Sequence, residues 1–124
     1  MRLSVSPLEG DIQQLTFEGR LDLPGTEEIA LALNSIVATD KQFFVADLSK
    51  VDFVASIGIG VLVRCANALR LRGGNMVLLN PQPGVRLMLE KTRIHTVIPI
   101  HASVKEACKA VREANPAAPH ELLH

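Results

Sequence analysis

One α/β domain, a mixed β-sheet flanked by α-helices in the order β-β-α-β-α-β-α-β-α, is the fold this sequence predicts, and three observations carry it. Short apolar runs alternate with stretches of helical spacing. The connections between them are only a few residues long. The chain of 124 residues, 48% hydrophobic and 21% charged, has the length and mix of one compact core. That domain is expected over residues 1–112, with a flexible tail over 113–124 carrying Pro116 and Pro119.

Leu3 and Val5, then Ile12, Leu15 and Phe17, form two near-alternating stretches separated by the turn-forming trio Glu9-Gly10-Asp11, which predicts an opening hairpin. After Gly19-Arg20-Leu21-Asp22, Thr26 precedes two glutamates, and Ile29, Leu33, Ile36 and Val37 share one helical face, giving a helix over about 26–38. Phe43-Phe44-Val45-Ala46-Asp47-Leu48 is a short continuous apolar run of the kind a strand covered on both faces needs, so it is placed at the middle of the sheet. From Ile57 the spacing through Cys65, Ala66 and Leu69 predicts a helix to about residue 72, stopped at Gly73-Gly74. Met76-Val77-Leu78-Leu79 is a second buried strand, and Pro83 suits the first turn of a helix through Val85, Leu87, Met88 and Leu89. Met76 and Met88 are read as core. Val97-Ile98-Pro99-Ile100 is strand-like, with a proline that favours a sheet edge, and Ser103 with Glu106 makes the capping box of a last helix bearing Val104, Ala107, Cys108 and Val111.

Composition removes several function classes. Thirteen basic residues balance thirteen acidic ones, where a nucleic-acid binder usually carries a basic excess, so no nucleic-acid partner is expected. With no Trp or Tyr and four Phe, stacking platforms and aromatic cages have almost nothing to be built from. Cys65 and Cys108 lack metal-ligand or CxxC spacing and read as buried thiols of a reducing, cytoplasmic compartment. No membrane association, cofactor or metal is expected: no apolar run approaches the roughly 18 residues a span requires, and no G-x-x-x-x-G-K-[ST] loop is present. The balanced charge gives no oligomer signal, and a monomer is expected.

The turn at Ser56 asks for explanation. A serine opens a helix whose first turn holds Gly58 and Gly60, although each glycine costs a helix interior about 1 kcal/mol relative to alanine. Two glycines strip side chains from around the hydroxyl, and a helix N-terminus supplies unpaired N–H groups and partial positive charge, a setting suited to an anion or phosphate. The structural alternative is that Ser56 is an N-cap and the glycines permit close helix-on-sheet packing. The run Asp47-Leu48-Ser49-x-Val51-x-Phe53-x-x-Ser56-x-Gly58-x-Gly60-x-Leu62 resembles the STAS domain, specifically the bacterial anti-sigma factor antagonists, whose pattern is D-L-S-x-V-x-F-[LIVM]-D-S-[STA]-G-[LIVM]-G-x-L. Gly19-Arg20-Leu21-Asp22 is similar to that family's G-x-[LI]-D, and Gly73-Gly74 to its G-G before the fourth strand, so the resemblance spans about residues 1–112.

The resemblance implies a non-enzymatic partner-switching regulator. The unphosphorylated protein would bind a GHKL-type serine kinase that doubles as an anti-sigma factor, the kinase would phosphorylate Ser56, and a PP2C-type phosphatase would reverse the step. Ser56 is the implied phosphoacceptor, and Asp22, Leu23, Ser56, Ile57, Gly58, Ile59 and Gly60 are the expected partner-binding residues, joined by Arg64 as the basic residue of the second helix close to Ser56. Ala55 stands where the pattern has Asp, so either the serine is still phosphorylated or the chain is a STAS docking subunit of an ABC-type lipid or anion transporter ATPase. Asp52, four residues before the serine, is not at the matching position and receives no role. A hydrolase elbow G-x-S-x-G lacks its first glycine here, and a base for Ser56 is unsupported by the few histidines. Arg64, Arg70 and Arg72, with Lys50, offer either a basic side for an acidic partner or an ordinary solvated helix face.

Overall fold

The structure, a computed structural model, describes residues 1–39 and 42–113. The sequence's elements appear in the expected order: β1 (Arg2–Pro7), β2 (Ile12–Leu21), α1 (Leu23–Val37), β3 (Phe43–Val54), α2 (Ser56–Leu71), β4 (Asn75–Leu79), α3 (Pro83–Lys91), a 3-10 turn (Ile94–Thr96), β5 (Ile100–His101) and α4 (Val104–Arg112). The expected tail lies outside the described residues apart from Glu113.

The strands form one sheet in the order β1-β2-β3-β4-β5. β1 runs antiparallel to β2, and the remaining pairs are parallel. The hairpin turns at Gly10, whose φ of 59° suits glycine, and Ile12 N–H donates to Glu9 O across it. Because side chains alternate across a strand, Phe44, Ala46, Leu48, Met76 and Leu78 face a large core shared with α1, α2 and α3. Val45, Val77 and Leu79 face a smaller one closed by Ala107, Cys108 and Val111 of α4. Both cysteines are free and buried. Met76 is fully buried, while Met88 is half-buried and packs against the larger core.

Three element boundaries differ from those the sequence predicts. β3 does not stop at Leu48 but continues to Val54, because two irregularities in its register with β2, at Thr16/Glu18 and Gly19/Arg20, shift the alternation that the sequence pattern relies on. α1 begins at Leu23, not at Thr26, because Asp22 caps it and Pro24 fits its first turn. The last strand is confined to Ile100–His101. Val97 and Ile98 donate their amides to Ile94 O, and Val97 O accepts from Arg70 Nη2 at 2.5 Å, so those backbone groups are committed before a ladder can form. Pro99, which has no N–H, still lends its carbonyl to Leu78 N, and β5 is the sheet edge the proline predicts.

The same contact removes Arg70 from any basic face. It is 6% exposed, and its Nε donates to Asn75 Oδ1 at 3.3 Å. Arg72 Nη1 donates to Val37 O at 2.5 Å, tying the end of α2 to the last turn of α1. Neither reading of that helix side as wholly basic or wholly solvated describes these two arginines.

Candidate functional site

β2 and β3 end side by side: Leu21 is the partner of Val54, and Ala55 N–H donates to Leu21 O at 3.0 Å. The chain leaves each strand directly into a helix, so the N-termini of α1 and α2 open at the same end of the sheet, beyond the carboxyl ends of parallel strands. Topology alone thus brings Asp22, Leu23, Ser56 and Ile57 together.

Asp22 serves the fold there. Its Oδ1 accepts from Gly25 N at 2.9 Å and its Oδ2 from Arg20 Nε at 3.2 Å. The Gly25 amide bond, helped by the Arg20 guanidinium and opposed by partial burial, holds its carboxyl below the ordinary value of 3.8. A depressed carboxylate contributes stability that is present above its unfolded pKa and lost as pH falls through its folded one. Asp22→Ala is therefore expected to lower Tm at pH 7 and to reduce the further loss on acidification below pH 4, read by thermal melts across the acid limb. A parent and variant that lose stability in parallel would count against this role. Gly25 is needed beside it, since a Cβ there would lie 2.0 Å from Arg20 O.

Ser56 is the first residue of α2, not its cap. Ala55 holds the cap position, in extended conformation, and offers no side-chain acceptor. The first turn of α2 thus lacks a side-chain cap, and the Ser56 side chain is exposed with no hydrogen-bond partner among the described residues. A positive helix terminus with an accessible hydroxyl in its first turn is the local electrostatic result.

The two glycines have different surroundings. Gly58 is buried, and a Cβ on it would meet Leu21 O at 2.4 Å and Leu21 Cγ at 2.6 Å. Gly60 has only Arg64 Nη1 near it, at 3.7 Å. Gly58 is therefore a packing residue that lets α2 sit on the end of β2, and Gly60 is the one that bares backbone. Ile59, expected at a partner surface, turns inward and is 6% exposed, so it and Gly58 belong to the core rather than to a contact face.

The surface around Ser56 is apolar. Leu23, Phe53 and Ile57 are each at least two-fifths exposed, Ile57 where the quoted pattern has Ser, Thr or Ala. Arg20 lies over the Phe53 ring at 4.3 Å, which fixes the cation of the Asp22 pair against the patch. Beside it a cleft of about 450 Å³ runs between Ser56 and α3, with Asp52, Phe53 and Met88 among its walls. Sequence reading gave Asp52 no role, yet it lines the same cleft as the serine, placed there by the extended end of β3. Arg64 lies two turns along α2 from Ser56, exposed and without an ion pair among the described residues.

The STAS domain profile matches residues 7–107, and the chain belongs to the STAS domain family. Relatives that match nearly its whole length include proteins named as anti-sigma factor antagonists. A Bordetella bronchiseptica protein named "Putative anti-sigma factor antagonist BtrV" is 26% identical over 116 residues, 94% of this chain and 99% of that one. An anti-sigma factor antagonist from Mycobacterium paratuberculosis has a similar crystal structure, with TM-score 0.78, 23% identity, and 90% of this chain and 94% of that one covered. SpoIIAA of Bacillus, solved in unphosphorylated and phosphorylated forms, superposes with TM-score 0.66 at 20% identity, covering 91% and 90% of this chain and 100% of SpoIIAA. Among the described residues no helix is long and apolar enough to cross a membrane.

Proposed function

We propose that this STAS domain is an anti-sigma factor antagonist working by partner switching. In its unphosphorylated form it binds a GHKL-type serine kinase that is also the anti-sigma factor, through Leu23, Ser56, Ile57, Gly60 and Arg64. The kinase transfers the γ-phosphoryl group of ATP to Ser56 Oγ, with ADP leaving and the hydroxyl proton lost. A PP2C-type phosphatase hydrolyses the phosphoester and restores the binding form.

The observation that carries this reading is the exposed serine, without a hydrogen-bond partner among the described residues, in the first turn of α2, which has no side-chain cap, beside Gly60 and an apolar rim. The antagonist names of the relatives support it. A phosphate added there stays solvated and close to the positive helix end in the free protein, so the fold tolerates it. Against a partner the same group is buried without a counter-charge. The chain acts by binding on this reading, and Ser56 is a substrate, not a nucleophile.

Ala55 favours a second reading, a docking subunit on the ATPase of an ABC-type transporter, in which Ser56 is never modified. Intact-mass spectrometry separates the two. After incubation with the candidate kinase and Mg-ATP, the parent chain is expected to gain one phosphate and Ser56→Ala none. An unmodified parent chain that co-purifies with a transporter ATPase would replace the first reading with the second.

A further inference from the structure

Ser56, Gly60 and Arg64 follow one another at four-residue steps along one face of α2. Ser56 and Arg64 are exposed, and Gly60 between them is half-buried. Two side chains eight residues apart, about 12 Å along the helix axis, do not meet when a third stands between them. Here the intervening position is glycine, and Arg64 uses the space: its Nη1 lies 3.7 Å from the point a Cβ on Gly60 would occupy. The guanidinium is folded back toward the start of α2, the direction in which helical side chains lean, and covers about half the span to Ser56. From the Gly60 position to the Ser56 Cβ about 5–6 Å remain. The oxygens of a phosphate, standing beyond Oγ, reach into that gap.

The charge of Arg64 is uncommitted, with no ion pair or hydrogen bond among the described residues. Arg20, at the same corner of the molecule, is held by Asp22 and lies over the Phe53 ring. Arg64 is thus a free cation on the helix line that Ser56 begins.

We propose that Arg64 receives the phosphate of Ser56. The inference rests on the reading of Ser56 as the phosphoacceptor and adds what the phosphate does in the free chain. The guanidinium, already over Gly60, pairs with the phosphate oxygens through a planar fork that suits them. Phosphorylation then withdraws from the partner surface the cation that the unphosphorylated chain presents there. To dock with Arg64 turned to the partner, the modified chain must strip the phosphate of its counter-charge and bury it unpaired. Gly60 has a second use on this account, since a side chain there would stand between the two charges.

The test places phosphoserine at position 56 of the full chain by stop-codon suppression, so that no kinase is needed, and follows its phosphorus resonance against pH. Phosphoserine loses its second proton near pH 6, and a cation beside it favours the dianion and lowers that value. The helix terminus acts in the same direction, so the variants carry the distinction. Arg64→Gln is expected to raise the phosphate pKa by about half a unit or more over the phosphorylated parent, and Arg64→Lys to restore part of the difference. Gly60→Leu should raise it with both charged groups still present. Lys109→Gln, on α4 at the other face of the sheet, should leave it unchanged. Identical titrations of the parent and Arg64→Gln would overturn the contact, and so would an equal shift from Lys109→Gln, which only a general field produces. An unmodified parent chain in the mass experiment overturns instead the reading on which the contact rests, an outcome that the titration reads independently of.

Discussion

Ser56→Asp is expected to fold and melt like the parent chain, or slightly higher, and to lose about a hundredfold or more in affinity for the kinase partner. The two halves of that expectation have opposite signs and different sizes. In the free protein a carboxylate in the first turn of α2 meets the uncapped helix terminus, worth about 0.3–1 kcal/mol in its favour. In the proposed complex it would be buried against Ile57, Leu23 and the partner, and a buried charge left unpaired costs about 3–5 kcal/mol. The second term is several times the first, so binding is lost while the fold is kept. Ser56→Ala removes neither the apolar rim nor the bared backbone at Gly60 and should bind as the parent does. Melting temperatures and surface plasmon resonance on the three proteins measure both halves. Retained tight binding by Ser56→Asp would sink the switch, and a drop in Tm would show that the terminus does not solvate the charge.

The proposed switch rests on the way two helix N-termini are treated at one end of the sheet. Parallel strands β2 and β3 place two helix N-termini at one sheet end, and they are treated differently. The α1 terminus is neutralised internally by Asp22, which is itself paired with Arg20. The α2 terminus follows Ala55, which has no side chain to offer, so its field remains free for a group outside the fold. Aspartate at position 55 would supply a carboxylate beside that terminus; with alanine there, the proposed phosphate on Ser56 would be the charge that meets it.

Much of this was legible in the sequence, and the parts that were not have identifiable causes. The turn at Gly10, the central position of Phe44 through Leu48 and the Ser103 cap follow from local rules, because turn chemistry, apolar runs and capping residues act within a few positions. The extension of β3 to Val54 was hidden by bulges, which break the period of two that identifies a strand. The fate of Val97 was set by Arg70, 27 residues away, a buried arginine that sequence pattern assigns to the surface. At the site, spacing pointed to Ser56 but could not separate Gly58 from Gly60 or turn Ile59 inward, because those differences depend on how closely α2 approaches Leu21.

That separation of the glycines yields the other large effect. Alanine at Gly58 places a Cβ 2.4 Å from a backbone carbonyl, that of Leu21, which is held by the Ala55 amide and cannot rotate aside. Either α2 lifts from the end of β2 or the β2–β3 pairing loosens, and overpacking of this kind costs about 1–3 kcal/mol. The gain of up to about 1 kcal/mol from replacing a helical glycine offsets only part of it. At Gly60 the same methyl meets only the far end of Arg64, at 3.7 Å, so the propensity gain stands alone and the fold is expected to become more stable. Gly58→Ala should therefore lower Tm, by about 3–6 °C for each kcal/mol in a domain of this size, and weaken the partner through misplacement of Ser56. Gly60→Ala should raise Tm and still weaken the partner, because the added methyl stands on the face that must be approached. Thermal melts and binding isotherms on the pair decide it. A Gly60→Ala protein that binds as well as the parent would place the contact face elsewhere on α2, and a Gly58→Ala protein that melts unchanged would mean that Leu21 yields to the methyl.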